Sequence, residues 1–349
     1  MRRVLLGDTS GVVCEALELF MRWIVIFWGW LCFCGFANAE EEDSLAVILY
    51  AGYGSAGKFT LEGRVIEWDE DSAGGSSDDG GATNLRRNLA QLFNAEQENV
   101  AVRIQLNEQS WRVKTDEEGY FRLDGELTDA KRSGWLTVTA QTENAEAVEG
   151  GVYMAPSENR WGVISDLDDT LMISEVTAKT SLLKNTFLKN PLQREAVPGV
   201  SGFIGSIIAD NAQMDASPVF YLSASPRQLY GNILLFLEHN GFPRGVVVAK
   251  KVSNESDSEP WLDQAAYKTA HIEDLLQRFP WVNFVLLGDD GERDPEIYRD
   301  IQARFADRIA AVYIRKVSPD PERPVYEGQQ ELAAAIANIK DIRTGAKER

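Results

Sequence analysis

Residues 161–171 read Trp161-Gly162-Val163-Ile164-Ser165-Asp166-Leu167-Asp168-Asp169-Thr170-Leu171, an uncharged, mostly apolar run that breaks into three carboxylates within four positions. A buried strand ending near Ser165 and opening into an acidic turn is the simplest reading. Asp166 and Asp168, two residues apart, then point to the same side. Four more runs of this kind follow: PVFYLS (218–223), GVVVA (245–249), NFVLLG (283–288) and AAVYI (310–314). Helical stretches lie between several of them, notably 226–240 and 264–280. Near-continuous apolar strands alternating with helices predict a doubly wound parallel sheet, an α/β fold. In such sheets ligands bind at the carboxyl ends of the strands.

Those ends carry chemistry. The second run closes on Ser223-Ala224-Ser225-Pro226, and the fourth on Gly288-Asp289-Asp290-Gly291-Glu292-Arg293-Asp294. The helix before the fourth run carries Lys268, with Lys250 and Lys251 as competitors for the same role. Singly, each feature has a plain explanation: acids in a first helical turn, a Gly-Asp turn, a solvated lysine. Together they set carboxylates, hydroxyls and an amine on one edge of one sheet. Ser223 and Ser225 both remain candidates for the hydroxyl, with Ser223 favoured because it directly ends the apolar run.

The order Asp-x-Asp-x-Thr, Ser, Lys, Gly-Asp-Asp resembles the signature of the haloacid dehalogenase superfamily, matched here by Asp166, Asp168 and Thr170, then Ser223, Lys268 and Asp289. The segments SDLDDTL, YLSASPRQLY, GFPRG and LLGDDGERDPEIY further resemble the catalytic domain of the fungal actin-patch phosphatidate phosphatase family and its bacterial relatives. GYG, LEGRV, NLRR and TDEEGYF extend that likeness to the first half, so that it covers most of residues 47–316. Two positions depart from the pattern: Asp290 stands where Ser is usual, and Arg227 where an aromatic residue is expected.

The resemblance implies a Rossmann-like haloacid dehalogenase fold preceded by a β-rich, sandwich-like domain. It implies a Mg2+ ion held by the Asp166 side chain, the Asp168 carbonyl and Asp289, with Asp290 added to the ligand set and Asp294 orienting it. Asp166 would be the nucleophile, Asp168 the acid/base and Thr170 a support for the loop. Ser223 would hold phosphoryl oxygens and Lys268 offset their charge. The implied substrate is a phosphorylated lipid such as phosphatidate, or another phosphomonoester, met through peripheral membrane contact. The short stretches 171–217 and 249–267 leave little room for a cap, which suits a bulky substrate. Rival readings are a nucleotide or phosphoprotein phosphatase, a receiver-like phosphoacceptor, and a secreted binding protein without catalysis.

Around this half the chain is divided into residues 1–39, a β-rich domain at 44–155 and the phosphatase-like domain at 158–340. The β-rich part holds short segments of Val, Ile, Thr and aromatics, one helical stretch at 84–93, and a Gly/Ser/Asp loop at 69–83. From Met21 a charged start, an apolar run and Ala37-Asn38-Ala39 have the anatomy of a secretory signal cleaved after Ala39. Translation is expected to start at Met21 and the product to be periplasmic or secreted. Removing 1–39 takes all three cysteines (Cys14, Cys32, Cys34), and with them any thiolate metal site or disulfide. It takes three arginines and three acids, so the net charge stays at −19, which disfavours nucleic acid as a partner. With His239 and His271 the only histidines, a multi-histidine zinc site is disfavoured too.

Overall fold

Apolar residues recur in two rhythms along the chain, and each rhythm builds a sheet of its own. The computed structural model describes residues 45–67, 97–143, 145–173, 191–251, 264–318 and 320–347. The expected signal at 21–39, the loop at 69–83 and the helix at 84–93 lie outside the described residues, as do 174–190 and 252–263 in the two stretches expected to form little cap.

The first rhythm is alternation. Strand β4 (Ala101–Leu106) buries every second residue and exposes the others, the pattern of a sheet with one wet face. With it run β1 (Leu45–Leu49), β2 (Gly52–Ser55), β3 (Lys58–Glu67), β5 (Gln109–Lys114), β6 (Tyr120–Glu126), β7 (Gly134–Gln141) and β8 (Val148–Met154). They form one eight-stranded sheet in the order β1-β3-β2-β8-β7-β4-β5, with β6 on the other edge of β3. All pairings are antiparallel except β2 with β8. The sheet curls until its ends meet, where Gln109 Nε2 of β5 donates to the Glu126 carbonyl of β6 at 3.0 Å. A sandwich of two sheets was the expectation; one curled sheet instead wraps its inner side chains, among them Leu61, Val102, Ile104 and Val138, into a common core. Strand β8 escapes the sequence pattern because Gly150 and Gly151 interrupt it. A Cβ on Gly151 would lie 2.9 Å from Arg244 Nη2 and 3.0 Å from the Trp135 ring, so glycine lets that stacked pair of side chains sit close to the strand.

The second rhythm is continuous burial. Strands β9 (Trp161–Asp166), β10 (Val219–Pro226), β11 (Val246–Lys250), β12 (Asn283–Asp289) and β13 (Ile309–Arg315) coincide with the five apolar runs, and β11 and β12 are buried almost throughout. A short edge strand, β14 (Gln329–Glu331), completes a parallel sheet ordered β11-β10-β9-β12-β13-β14. Helices cover both faces. Helices α1 (Val200–Ile208), α2 (Tyr230–His239) and α5 (Leu332–Lys347) share a cluster with Val163, Tyr221 and Leu287. Helices α3 (Gln264–Arg278) and α4 (Asp294–Arg304) pack on Ile164, Phe220 and Leu286. Adjacent strand residues thus feed opposite faces, as the pleat dictates.

The two sheets belong to one compact unit, Ser44–Arg349. Tyr53 and Tyr153 of the curled sheet insert among Phe220 and Phe279, with ring centroids 5.4–6.4 Å apart. The Ala51 amide donates to the Tyr230 hydroxyl at 2.8 Å, and the Tyr153 hydroxyl to the Ala216 carbonyl at 3.1 Å.

Candidate active site

Strands β9 and β12 lie side by side at the centre of the parallel sheet, where the strand order reverses. A crevice opens at such a switch point. Asp166 ends β9 and Asp289 ends β12. Both are buried, together with Asp294 at the start of α4 and Lys268 on α3. Lys268 Nζ lies 2.8 Å from Asp166 Oδ1, 2.6 Å from Asp294 Oδ1 and 3.2 Å from Glu292 Oε2. Thr170 Oγ1 donates to Asp166 Oδ2 at 3.0 Å. Both oxygens of Asp166 are therefore fixed, one by an ammonium and one by a hydroxyl. Gly288 makes room for this arrangement, since a Cβ there would meet Asp294 Oδ2 and the Tyr298 ring at 2.6 Å.

Asp166, Asp289 and Asp294 each offer an oxygen within 4.8 Å of the others, a buried cluster that could hold a metal ion. The Gly291 and Glu292 amides donate to Asp289 Oδ1 at 2.7 and 3.2 Å, while Asp289 Oδ2 is buried without a hydrogen-bond partner. Leaving a buried polar oxygen unsatisfied costs roughly 1–3 kcal/mol, and a cation beside it removes that cost. An all-oxygen donor set suits a hard cation such as Mg2+ rather than a thiolate-loving one. Charge balance agrees: four acids surround one ammonium.

The titration behaviour follows from the same crowding. Burial, and then the neighbouring Asp294, push Asp289 up to about 8, against the pull of Lys268. Burial drives Asp166 well above the usual carboxylate range although Lys268 pulls it down. Burial alone would lower Lys268, yet Asp166, Asp294 and Glu292 carry it well above its ordinary value. A carboxyl raised from about 3.9 in the unfolded chain favours its protonated form in the fold, so metal-free stability falls as pH climbs from about 4 toward 8. A divalent cation competes with those protons. Calorimetry should therefore show a larger Mg2+-induced rise in Tm at about pH 8 than at about pH 6; equal shifts would contradict the cluster as the binding site.

Asp290, expected among the ligands, is not brought into the cluster. Its Oδ1 accepts from the Val317 and Ser318 amides at 2.6 and 2.7 Å, tying the loop after β13 to the end of β12. Adjacent residues at a strand end diverge, so Asp289 and Asp290 cannot share one target. Asp294, one turn onward, takes the third place. Asp294→Asn is expected to weaken Mg2+ binding by about 10-fold or more and Asp290→Asn by less than about 3-fold, measured by titration calorimetry.

Next to Asp166 in the chain, Leu167 and Asp168 line a cleft together with Arg194, Ser223 and Ser225. The Ser225 amide donates to Ser223 Oγ at 3.0 Å, and Ser225 Oγ lies 3.5 Å from Asp168 Oδ2. Burial raises the Asp168 carboxyl, with Arg194 pulling the other way. Of the competing lysines, the Lys250 ammonium lies over the Tyr267 ring and Lys251 pairs with Asp116 and Glu118. The turn carrying Asp168 closes through bonds from the Leu171 and Met172 amides to the Leu167 carbonyl. It places Asp169 in the left-handed region at φ 57°, where Arg315 bonds its carbonyl and pairs with its carboxylate at 3.6 Å. Arg194 and Arg315 were not anticipated. Arg315 ends β13 on the same edge of the sheet, which is the signal that could have found it.

Residues 161–316 match the model of the catalytic domain of phosphatidate phosphatase APP1. Phosphatidate phosphatase APP1 of Saccharomyces cerevisiae is 34% identical over 182 residues, covering 52% of this chain and 30% of the yeast protein. An uncharacterized protein of Schizosaccharomyces pombe is 27% identical over 220 residues, 60% of this chain and 35% of its own length. The chain thus spans about a third of the length of these curated relatives. A carbohydrate acetylesterase from Xanthomonas citri aligns with 80% of this chain and 70% of its own at a TM-score of 0.29 and 9% identity, too slight a likeness to bear on fold or function. Over residues 161–316 this chain is thus similar to the catalytic domain of phosphatidate phosphatase APP1.

Proposed function

We propose that the protein is a Mg2+-dependent phosphatase of the haloacid dehalogenase type, acting on a lipid phosphate such as phosphatidate through an aspartyl-phosphate on Asp166. The observation that carries this reading is the buried Asp166 carboxylate, held at both oxygens beside Asp289, Asp294 and Lys268 in a domain similar to that catalytic domain. The strand order, which is that of a doubly wound sheet with its crevice at this cluster, supports the fold assignment.

Phosphate monoesters resist hydrolysis because their negative charge repels nucleophiles and the alkoxide leaves poorly. Mg2+, when bound by Asp166, Asp289 and Asp294, supplies positive charge to the phosphoryl oxygens and keeps the nucleophile ionised. Lys268 would also offset phosphoryl charge, and it holds Asp166 Oδ1 in place. Asp166 attacks phosphorus as the bond to the leaving oxygen breaks, and Asp168 gives that oxygen its proton. In the second step Asp168 takes a proton from water, the water attacks the aspartyl-phosphate, and Asp166 is released with orthophosphate. Partial burial, which raises the Asp168 carboxyl, suits it to start protonated. Ser223 and Ser225, which line the cleft, would donate to phosphoryl oxygens.

Phosphate release from phosphatidate in detergent micelles and from p-nitrophenyl phosphate, with Mg2+ and with chelator, tests the reading. Chelator-sensitive turnover with phosphatidate preferred supports it. Turnover confined to nucleotides or phosphopeptides would overturn the lipid assignment, and turnover indifferent to chelator would overturn the metal.

A further inference from the structure

The hydroxyl-bearing end of β10 is irregular. Ser223 pairs with Ala249 and Pro226 with Lys250, so three steps along β10 meet one along β11. Ala224 and Ser225 are the surplus, and they bow out of the ladder as a bulge. That bow brings Ser225 Oγ to 3.5 Å from Asp168 Oδ2 and its amide to Ser223 Oγ. Ladder hydrogen bonds do not hold a bulge, so something else must fix it.

Arg227 stands directly behind it. Its Nε donates to the Ala249 carbonyl at 3.0 Å, spanning the bulge to the neighbouring strand. Its Nη2 pairs with Glu62 Oε2 of β3 at 2.9 Å, and its guanidinium lies 5.6 Å from the centroid of the Tyr50 ring. Glu62 is held in turn by Arg122 at 3.2 Å. The pair is largely sheltered, with side-chain exposures of 14% and 27%, and a planar guanidinium suits three contacts at fixed angles. Lys251, just past β11, makes a parallel attachment to Asp116 and Glu118. The loops at the site's edge are thus fastened to the curled sheet, whose own strands carry none of the catalytic groups.

We propose that Arg227 is a positioning residue: with Glu62 and Tyr50 it fastens the Ser223–Pro226 bulge to the curled sheet, so that this sheet sets where the two serine hydroxyls meet the phosphoryl group. The part concerning phosphate rests on the phosphatase reading; the fastening itself does not.

Arg227→Gln, Glu62→Gln and the double variant, made in the purified full chain, test it with two readouts. Amide hydrogen exchange across 223–229 should rise about 10-fold in all three, with β9 and β12 unchanged. KM for p-nitrophenyl phosphate should rise about 10-fold with kcat held within about 3-fold, and the double variant should be no worse than either single one, because the pair acts as a unit. Unchanged exchange in Arg227→Gln would overturn the proposal. So would a KM effect of Arg227→Gln that Glu62→Gln does not share, since Arg227 would then contact substrate itself. Exchange rising throughout the parallel sheet would also overturn it, as general loss of stability. If the local rise in exchange appears while the unmodified protein hydrolyses no phosphomonoester, the fastening stands and the phosphatase reading falls.

Discussion

Asp166→Asn is expected to lower Mg2+-dependent turnover on the order of 10⁴-fold or more while the protein stays folded. The side chain is nearly isosteric: its remaining oxygen can keep the contact with Lys268 while its amide nitrogen donates to Thr170 Oγ1, reversing that bond. What is lost is the anionic oxygen that forms the bond to phosphorus in the proposed mechanism. Nucleophile removal is the most costly single change in enzymes that work through a covalent intermediate, and residual rates come from binding alone. Stability should move little or rise, because one of four crowded acids becomes neutral in a site where burial already opposes its ionised form. Steady-state kinetics and thermal melts on the same sample check both halves. A variant retaining a tenth of the activity, or one that fails to fold, would each point away from Asp166 as a nucleophile under electrostatic load.

Lys268→Met is expected to have the largest effect on stability. The ammonium is buried among Asp166, Asp294 and Glu292 at 2.6–3.2 Å. Removing it leaves three carboxylates without their shared cation, and breaking a buried pair in this way costs about 3–5 kcal/mol. Part of that loss should return on adding Mg2+, which offers positive charge to the same oxygens, and part on lowering the pH, which protonates carboxyls already biased upward. Denaturant unfolding of the variant with and without Mg2+ reads this directly. Equal stability of variant and parent under metal-free conditions would mean that the acids are already protonated and that Lys268 is not their counter-ion.

How much of this was legible in the sequence depends on what each feature rests on. The five long strands of the parallel sheet declare themselves because a strand covered on both faces must be apolar at nearly every position. The residues at their ends are legible for the same reason, since Asp166, Ser223 and Asp289 each interrupt such a run. Strand β8 is hidden because glycines stand where the pattern calls for β-branched residues, one of them closely covered by Trp135 and Arg244. The sandwich expectation reflects a limit of alternation, which reports one wet face but not whether the dry face meets a second sheet or its own curl. Asp290 and Asp294 could not be told apart because the choice depends on which way each side chain leaves the strand end. Arg194, Arg227 and Arg315 act through partners far away in the chain, and a lone arginine carries no pattern that names its partner. Arg227 drew notice only as a departure from the family pattern, and its contacts with Glu62 and Tyr50 link it to the other sheet.

The most direct test of the central claim is to catch the phosphorylated enzyme. The protein would be mixed with phosphatidate and Mg2+, quenched in acid within the first turnover, digested and read by mass spectrometry. The mechanism predicts one phosphoryl group on the peptide containing Asp166, labile to hydroxylamine and absent from Asp166→Asn. A turnover that leaves no phosphoryl group on the protein, or leaves it on another residue, would contradict covalent catalysis by Asp166.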